Sequence, residues 1–327
     1  MLLPPFELHR PETLPDALVL AGRLEGDFDY VAGGTDLLQN YKNRIRPRGH
    51  LISLNKIKDL TQITVSRIGA LSTLTEVEFS PEIRQRLPGL VQAISKVATP
   101  LVRNTATLGG NLLVETRCFF LNQSRFWRLS KGSCMKAEGN ACLVVPQKEV
   151  CYATFSSDVA PLLMTLDASV HLVGPDGERD VPLREFYIGD GMKRFQKVPA
   201  EIIAWIDIPD SATRLTSGYK KLRIRDSFDY PDLGVAASLK IEAGRLERLS
   251  LVLTAIESIP LDLATVAEGV VGQPWSPDLV ERIAREAEER ARPVKNVSMS
   301  PSYRKRMVLV YVRRLLTDLG EQASVTV

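Results

Sequence analysis

A chain of 327 residues with 44% hydrophobic and 25% charged residues has the composition of a globular protein long enough to hold two domains. Its net charge of +3 is too small, and its basic residues too scattered, to suit a nucleic-acid binder. No apolar run approaches the roughly 18 residues of a membrane span, and the start MLLPPFELHRP lacks the basic and apolar regions of a signal peptide, so a cytoplasmic location is expected.

In chain order, Leu14, Ala17, Leu18 and Leu20 predict a helix over 11–22 with Gly22 as its stop. FDYVAGGTDLLQNYKNR reads as a short strand, a Gly-Gly turn and a helix beginning near Asp36. His50 to Ile57 is a compact apolar strand, and Gln62 to Leu74 reads as paired strands around a turn at Gly69. Gly89 to Asn104 predicts a helix and a turn, and TATLGGNLL carries a second Gly-Gly turn. All four cysteines then fall between Cys118 and Cys151. SSDVAPLLMTLDA predicts a helix capped near Ser157 or Asp158, followed by a hairpin turning at Pro175-Asp176-Gly177. Glu201 to Pro209 is another strand. From about residue 213 long alternating runs, split at Ala243-Gly244, predict an antiparallel sheet with one buried face. Two helices close the chain. One is capped by Ser276 with Pro277 at its first position, and the other runs from Tyr303 to Gly320. The order predicts an N-terminal α/β part over 1–213 and a C-terminal α+β domain over 214–327.

Glycine lets backbone N–H groups approach a ligand closely, and successive N–H groups can hold phosphate oxygens. Gly33-Gly34 and Gly109-Gly110 are candidates for that role, although neither loop matches GxGxxG or a Walker loop and each alone suits a plain turn. Asp158 suits either an N-cap or a carboxylate for a sugar hydroxyl. His9, His50 and His171 are far apart in sequence, which gives little support to a His-bound metal or a Ser-His-Asp site. In a reducing compartment the clustered Cys118, Cys134, Cys142 and Cys151 favour metal ligation over disulfides. They lack the paired C-x₂₋₄-C knuckles usual for zinc, but zinc, disulfides and free thiols stay open.

Taken together, AGGTDLL, IGA, RNTATLGGNL and SSDVAPLLMTLDA, followed by EFYIGDG, EIIAWIDIP, YKKLRIRDSFDY and SPSYRKRMVLVYVRRLL, carry a resemblance over the whole chain. The sequence resembles the flavin-binding (medium) subunit of the xanthine oxidase family of molybdenum enzymes, a group that includes carbon monoxide dehydrogenase medium subunits. The resemblance implies an α+β fold: a two-part FAD-binding domain of the PCMH/vanillyl-alcohol-oxidase type over 1–213, divided at 56/57, then the family's C-terminal domain over 214–327. It implies FAD held by Val31, Ala32, Gly33, Gly34, Thr35, Asp36 and Leu37 around the pyrophosphate. Thr107, Gly110 and Asn111 would hold the other side, and Asp158 would face the cofactor. Ile203 and Lys220 would lie near the isoalloxazine, where a cation stabilises the anionic reduced flavin.

The segment 115–153 departs from the usual family pattern. It resembles the insertion of 4-hydroxybenzoyl-CoA reductase flavin subunits, which binds an additional [4Fe–4S] cluster, with Cys118, Cys134, Cys142 and Cys151 as the implied ligands. Arg117, Arg125, Arg128, Lys131 and Lys136 could offset its charge, and Phe119, Phe120, Phe126 and Trp127 could shield it. On this resemblance the chain is an electron-transfer subunit with no catalytic residue of its own. Its partners would be a molybdopterin-binding large subunit and a [2Fe–2S] small subunit, as a dimer of heterotrimers, with ferredoxin as electron donor. The alternative is the flavin subunit of a hydroxylating dehydrogenase that passes electrons to NAD⁺ or another acceptor.

Overall fold

The computed structural model describes residues 2–325. The chain begins with β1 (Glu7–His9), α1 (Leu14–Arg23), β2 (Phe28–Val31), α2 (Leu37–Lys42) and β3 (His50–Ser53). These strands form a parallel sheet in the order β1-β3-β2, so β3 lies between the other two. Thr13 caps α1 by accepting from the Asp16 N–H at 3.3 Å. Ala17 and Ala21 of α1 then pack with Phe28 and Ile52 in a small core.

The second unit contains β4 (Arg67–Gly69), α3 (Leu74–Phe79), α4 (Pro81–Arg86), α5 (Pro88–Ser95), α6 (Pro100–Arg103), α7 (Leu108–Leu112), α8 (Arg125–Ser130) and α9 (Ala160–Thr165). It continues through β5 (Ser169–Gly174), β6 (Gly177–Pro182), α10 (Leu183–Phe186) and β7 (Ile202–Asp207). Its strands form an antiparallel sheet ordered β4-β7-β5-β6, with the expected hairpin between β5 and β6. The paired strands expected around Gly69 are not formed. Gly69 is the last residue of β4 and pairs with Trp205, because a Cβ here would lie 2.3 Å from the Leu60 carbonyl oxygen and only glycine fits. The chain turns earlier, between Thr64 and Arg67, and a capping box of Thr73 and Glu76 starts α3.

The last unit holds β8 (Thr216–Leu222), β9 (Leu233–Glu242), β10 (Arg245–Thr254), β11 (Leu261–Asp262), α11 (Ala264–Glu268), α12 (Pro277–Arg290) and α13 (Pro301–Val325). The antiparallel sheet β11-β10-β9-β8 is buried on both faces rather than one. Val235, Ala237 and Leu239 face α12 and α13, whereas Ala236 and Val252 turn toward the second unit's core. The sheet therefore joins the two halves of the molecule.

Arg304 on α13 pins this arrangement. Fully buried, it donates to the carbonyls of Asp232 at 2.9 Å, Val294 at 3.0 Å and Ala255, and to Asn296. Arg304→Met leaves several buried acceptors without partners, so a loss of about 3 kcal/mol or more is expected. An unchanged thermal unfolding midpoint would contradict this role.

Candidate functional site

A cavity of about 860 Å³ lies between the parallel sheet, the α6–α7 loop and the loop joining β8 to β9. That is the size of a cofactor site, which runs to roughly 300–1,000 Å³. Val31, Ala32, Gly33, Gly34, Thr35, Asp36 and Leu37 line it, together with Thr107, Gly110 and Asn111. The first loop packs on the start of the second because Gly33 carries no side chain at the contact, and Gly109 seats the second loop against Ala70. A Cβ on Gly33 would lie 1.9 Å from the Thr105 carbonyl oxygen, and one on Gly109 would lie 2.7 Å from the Ala70 Cβ. Gly34 has φ of +68°, which turns the chain from β2 into α2. Thr107 caps α7 by accepting from the Gly110 N–H at 3.1 Å. The Ser157 hydroxyl donates to Asn111 at 2.7 Å and accepts from the Ala160 N–H at 3.0 Å, so Ser157 closes the turn that leads into α9, whose cap position is Val159.

Asp158 and Ile203 also line the cavity, but Lys220 does not. Successive side chains on a strand point to opposite faces, and Lys220 of β8 turns outward to Asp318 on α13, at 2.6 Å. The lysine that lines the cavity is Lys221. It donates to Asp158 at 2.8 Å and to the Lys96 carbonyl at 2.9 Å, and the Tyr219 hydroxyl donates to the other Asp158 oxygen at 2.7 Å. Both carboxylate oxygens of Asp158 are thus engaged by protein, and Asp158 meets the cavity through the lysine it holds. The third N–H of Lys221 has no partner among the described residues.

On the other side Glu115, Lys136 and Arg194 line the cavity, with Arg117 behind Asp36 and Tyr230. Arg117 pairs with Asp36 and Tyr230, and its guanidinium lies 4.0 Å from the centre of the Tyr230 ring. Asp36 also accepts from the Glu115 N–H at 2.9 Å. Glu115 binds Lys136 at 2.6 Å and Arg194 at 3.2 Å. Burial alone would raise the Glu115 carboxyl, but the charges of Lys136 and Arg194 overcome it and hold the group at about 2. The folded value lies below the unfolded one. The pair therefore contributes fully above about pH 4.5 and is lost as pH falls toward 2, a change of about 3 kcal/mol. Urea midpoints should fall more steeply between pH 5 and about 2.5 in the wild type than in Glu115→Gln. Parallel profiles would exclude this contribution.

A second, small apolar cavity is lined by all four cysteines: Cys118, Cys134, Cys142 and Cys151. All are buried, and none is in a disulfide. The segment around them is mostly irregular, and Arg128 ties it to the body of the protein by donating to the carbonyls of Gln123, Asn43 and Arg44. Gly191 packs against Cys151, where a Cβ would lie 2.6 Å from the sulfur. Of the basic and aromatic residues expected to surround the thiols, only Lys136 and Phe120 line the cavity. Arg125 pairs with Glu138, and Phe126 is 84% exposed. Burial pushes the Cys118 thiol up to about 12 and raises Cys151, while backbone N–H groups of Phe120 and Leu121 point at the Cys118 sulfur. Thiolate charge buried in this apolar space calls for a compensating cation or cluster. No three cysteine sulfurs lie within 4.8 Å of one another. A tetrahedral zinc with Zn–S of about 2.3 Å would hold them roughly 3.8 Å apart. As placed, the four sulfurs do not close on a single ion.

His9 and His50, distant in sequence, meet across the parallel β1–β3 pair, with Nε2 and Nδ1 3.1 Å apart and Glu7 beside them. Sequence separation hid this contact.

Residues 4–211 match the profile of the FAD binding domain in molybdopterin dehydrogenase, and residues 217–319 match the CO dehydrogenase flavoprotein C-terminal domain. The chain belongs to this family of FAD-binding flavoproteins. It is 26% identical to the carbon monoxide dehydrogenase medium chain of Hydrogenophaga pseudoflava, with 97% of each chain covered. It is 33% identical to the aldehyde oxidoreductase FAD-binding subunit PaoB of Escherichia coli over 72% of this chain and 77% of that one. A solved structure of the Hydrogenophaga pseudoflava carbon monoxide dehydrogenase, lacking the Mo-pyranopterin moiety of its cofactor, superimposes with a TM-score of 0.79. The match has 25% identity and covers 97% of this chain and 98% of that one. FAD fits the large cavity on the structure's own terms: a side-chain-free seam where the glycine loops meet, and a buried lysine with an N–H to spare. No helix among the described residues is long and apolar enough to cross a membrane.

Proposed function

We propose that this chain is the electron-transfer flavin subunit of a molybdenum hydroxylase or dehydrogenase. The observation that carries this reading is the large cavity lined by both glycine loops within a family that binds FAD. FAD supplies exchange of one or two electrons and so links a two-electron partner to one-electron centres. The chain's residues bind and orient it. Backbone N–H groups of Gly33 and Gly34 offer donors to the pyrophosphate, whereas the Gly110 N–H is taken by Thr107 and Gly110 serves by leaving the cavity open beside it. Lys221, fixed by Asp158 and the Lys96 carbonyl, presents a positive charge to the cavity beside Ile203. Substrate chemistry belongs to a molybdopterin-binding large subunit and a [2Fe–2S] small subunit, with the three chains repeated as a dimer of heterotrimers.

The cysteine cavity favours a second, narrower reading. Four buried thiols around one space suit a [4Fe–4S] cluster, whose ligands would be Cys118, Cys134, Cys142 and Cys151. On that reading the complex is a 4-hydroxybenzoyl-CoA reductase that removes the ring hydroxyl to give benzoyl-CoA, with ferredoxin as donor. The complex purified through this chain should contain molybdenum and two further subunits. Its spectrum should show flavin bands near about 450 nm and an iron–sulfur shoulder near about 400 nm beyond that of the [2Fe–2S] subunit. Absence of flavin would reject the first reading. Flavin reduction by NADH, with no turnover of 4-hydroxybenzoyl-CoA on reduced ferredoxin, would reject the second.

A further inference from the structure

The two cavities share a wall, and one charged side chain lines both. Lys136 borders the cysteine cavity and the large cavity, and its side chain is almost wholly enclosed. All three of its N–H groups are committed: to Glu115 at 2.6 Å, to the Thr116 hydroxyl at 2.5 Å and to the Gly191 carbonyl. Glu115 borders the large cavity, and the same carboxylate oxygen that holds Lys136 also meets, at 3.2 Å, Arg194, which lines that cavity too. Gly191, the carbonyl partner, is the residue that packs on Cys151. The charge is thus held by three partners in a medium that screens it poorly.

Resting on the reading of these cavities as flavin and cluster sites, we propose that Lys136 is a shared positioning charge for two redox centres. With Glu115 as its counterweight, it sets the potentials of both. A thiolate-ligated cluster gains one negative charge on accepting an electron, and the flavin gains negative charge on reduction unless it takes up a proton. A fixed ammonium between them stabilises the reduced form of each, and the adjacent carboxylate opposes it. The electrons themselves come from the donor and leave to the acceptor of the established family reaction, so Lys136 adds no redox step of its own. Because it borders both cavities, its removal shifts both potentials in the same direction.

The test is a dye-equilibrated redox titration of the purified complex. Flavin absorbance and the electron paramagnetic resonance of the reduced [4Fe–4S] cluster would be followed in Lys136→Met, Glu115→Gln and the exposed control Lys148→Met. Iron and flavin contents would be measured first. Expected are more negative midpoints for both centres in Lys136→Met, more positive midpoints for both in Glu115→Gln, and no shift in Lys148→Met. A purely structural role for the pair would change cofactor content without shifts of opposite sign. Unchanged midpoints in a Glu115→Gln complex with full flavin and iron would overturn the proposal, including the case where Lys136→Met fails to assemble. A wild-type complex with flavin but no iron beyond its [2Fe–2S] subunit would instead overturn the cluster reading, and with it the shared role. That outcome is read from metal analysis alone, before any variant is titrated.

Discussion

Gly33→Val is expected to purify with less than about a tenth of the wild-type flavin, a loss that corresponds to 1.4 kcal/mol or more of binding free energy. The cause is geometric. The first added carbon would stand 1.9 Å from the Thr105 carbonyl oxygen, and backbone on the opposing loop has no rotamer with which to yield. The loops must spread, which separates Val31–Leu37 from Thr107, Gly110 and Asn111 across the cavity they line together. Overpacking of this kind costs about 1–3 kcal/mol in a tolerant core. Here the cost falls on the seam that shapes the cofactor cavity. A bulky residue at Gly110 should act differently. Its Cβ meets only the Thr107 hydroxyl, at 2.9 Å, so the side chain would extend into the cavity and occupy it directly. Gly22→Ala is the control, because a Cβ there meets nothing within 4 Å and the residue lies in a helix that alanine favours. Flavin absorbance after gel filtration gives the answer. Wild-type occupancy in Gly33→Val would show that the seam does not hold the cofactor.

The glycine loops were legible in the sequence because their constraint is local. A close approach or a positive φ demands glycine at one position, and the demand shows without knowledge of what lies opposite. The hairpin at Asp176-Gly177 and the cap at Ser276 are readable for the same reason. The lysine was displaced by one residue because β8 carries Lys220 and Lys221 side by side, and alternation reveals a phase only when one face is apolar. Here both faces of the sheet are covered, so the run Tyr219-Lys220-Lys221-Leu222 gives no phase, and the partners Asp158 and Asp318 decide it from afar. Lys136 was expected beside the thiols, but its pairing with Glu115 and Arg194 was hidden more completely. These residues come from three segments without regular structure, and an irregular chain has no period from which to infer a facing residue. The same applies to Arg128. It was expected to offset cluster charge, but it spends its donors on backbone carbonyls that hold the insertion in place.

Cys134→Ser is expected to remove about four iron atoms per chain, the content of one cubane cluster, while flavin occupancy stays at the wild-type level. The substitution is nearly isosteric, so the wall around it keeps its shape. An unpaired hydroxyl in this apolar lining costs about 1–3 kcal/mol, which a chain anchored by Arg128 and the Lys136–Glu115 pair can absorb. The thiolate is the ligand that iron requires, and a buried serine hydroxyl is a far weaker one. Loss of the whole cluster is expected because the remaining three thiolates would lie in an enclosed space that disfavours their charge. The flavin should persist because none of the four cysteines lines the large cavity. Metal analysis separates the alternatives. Loss of one zinc per chain would identify a four-thiolate zinc site despite the wide sulfur spacing. Unchanged metal content would mean that Cys134 ligates nothing, and that the four thiols share a cavity without sharing an ion. In that case the proposed reading as a CoA-thioester reductase would lose its support, because that reading rests on the four cysteines as cluster ligands.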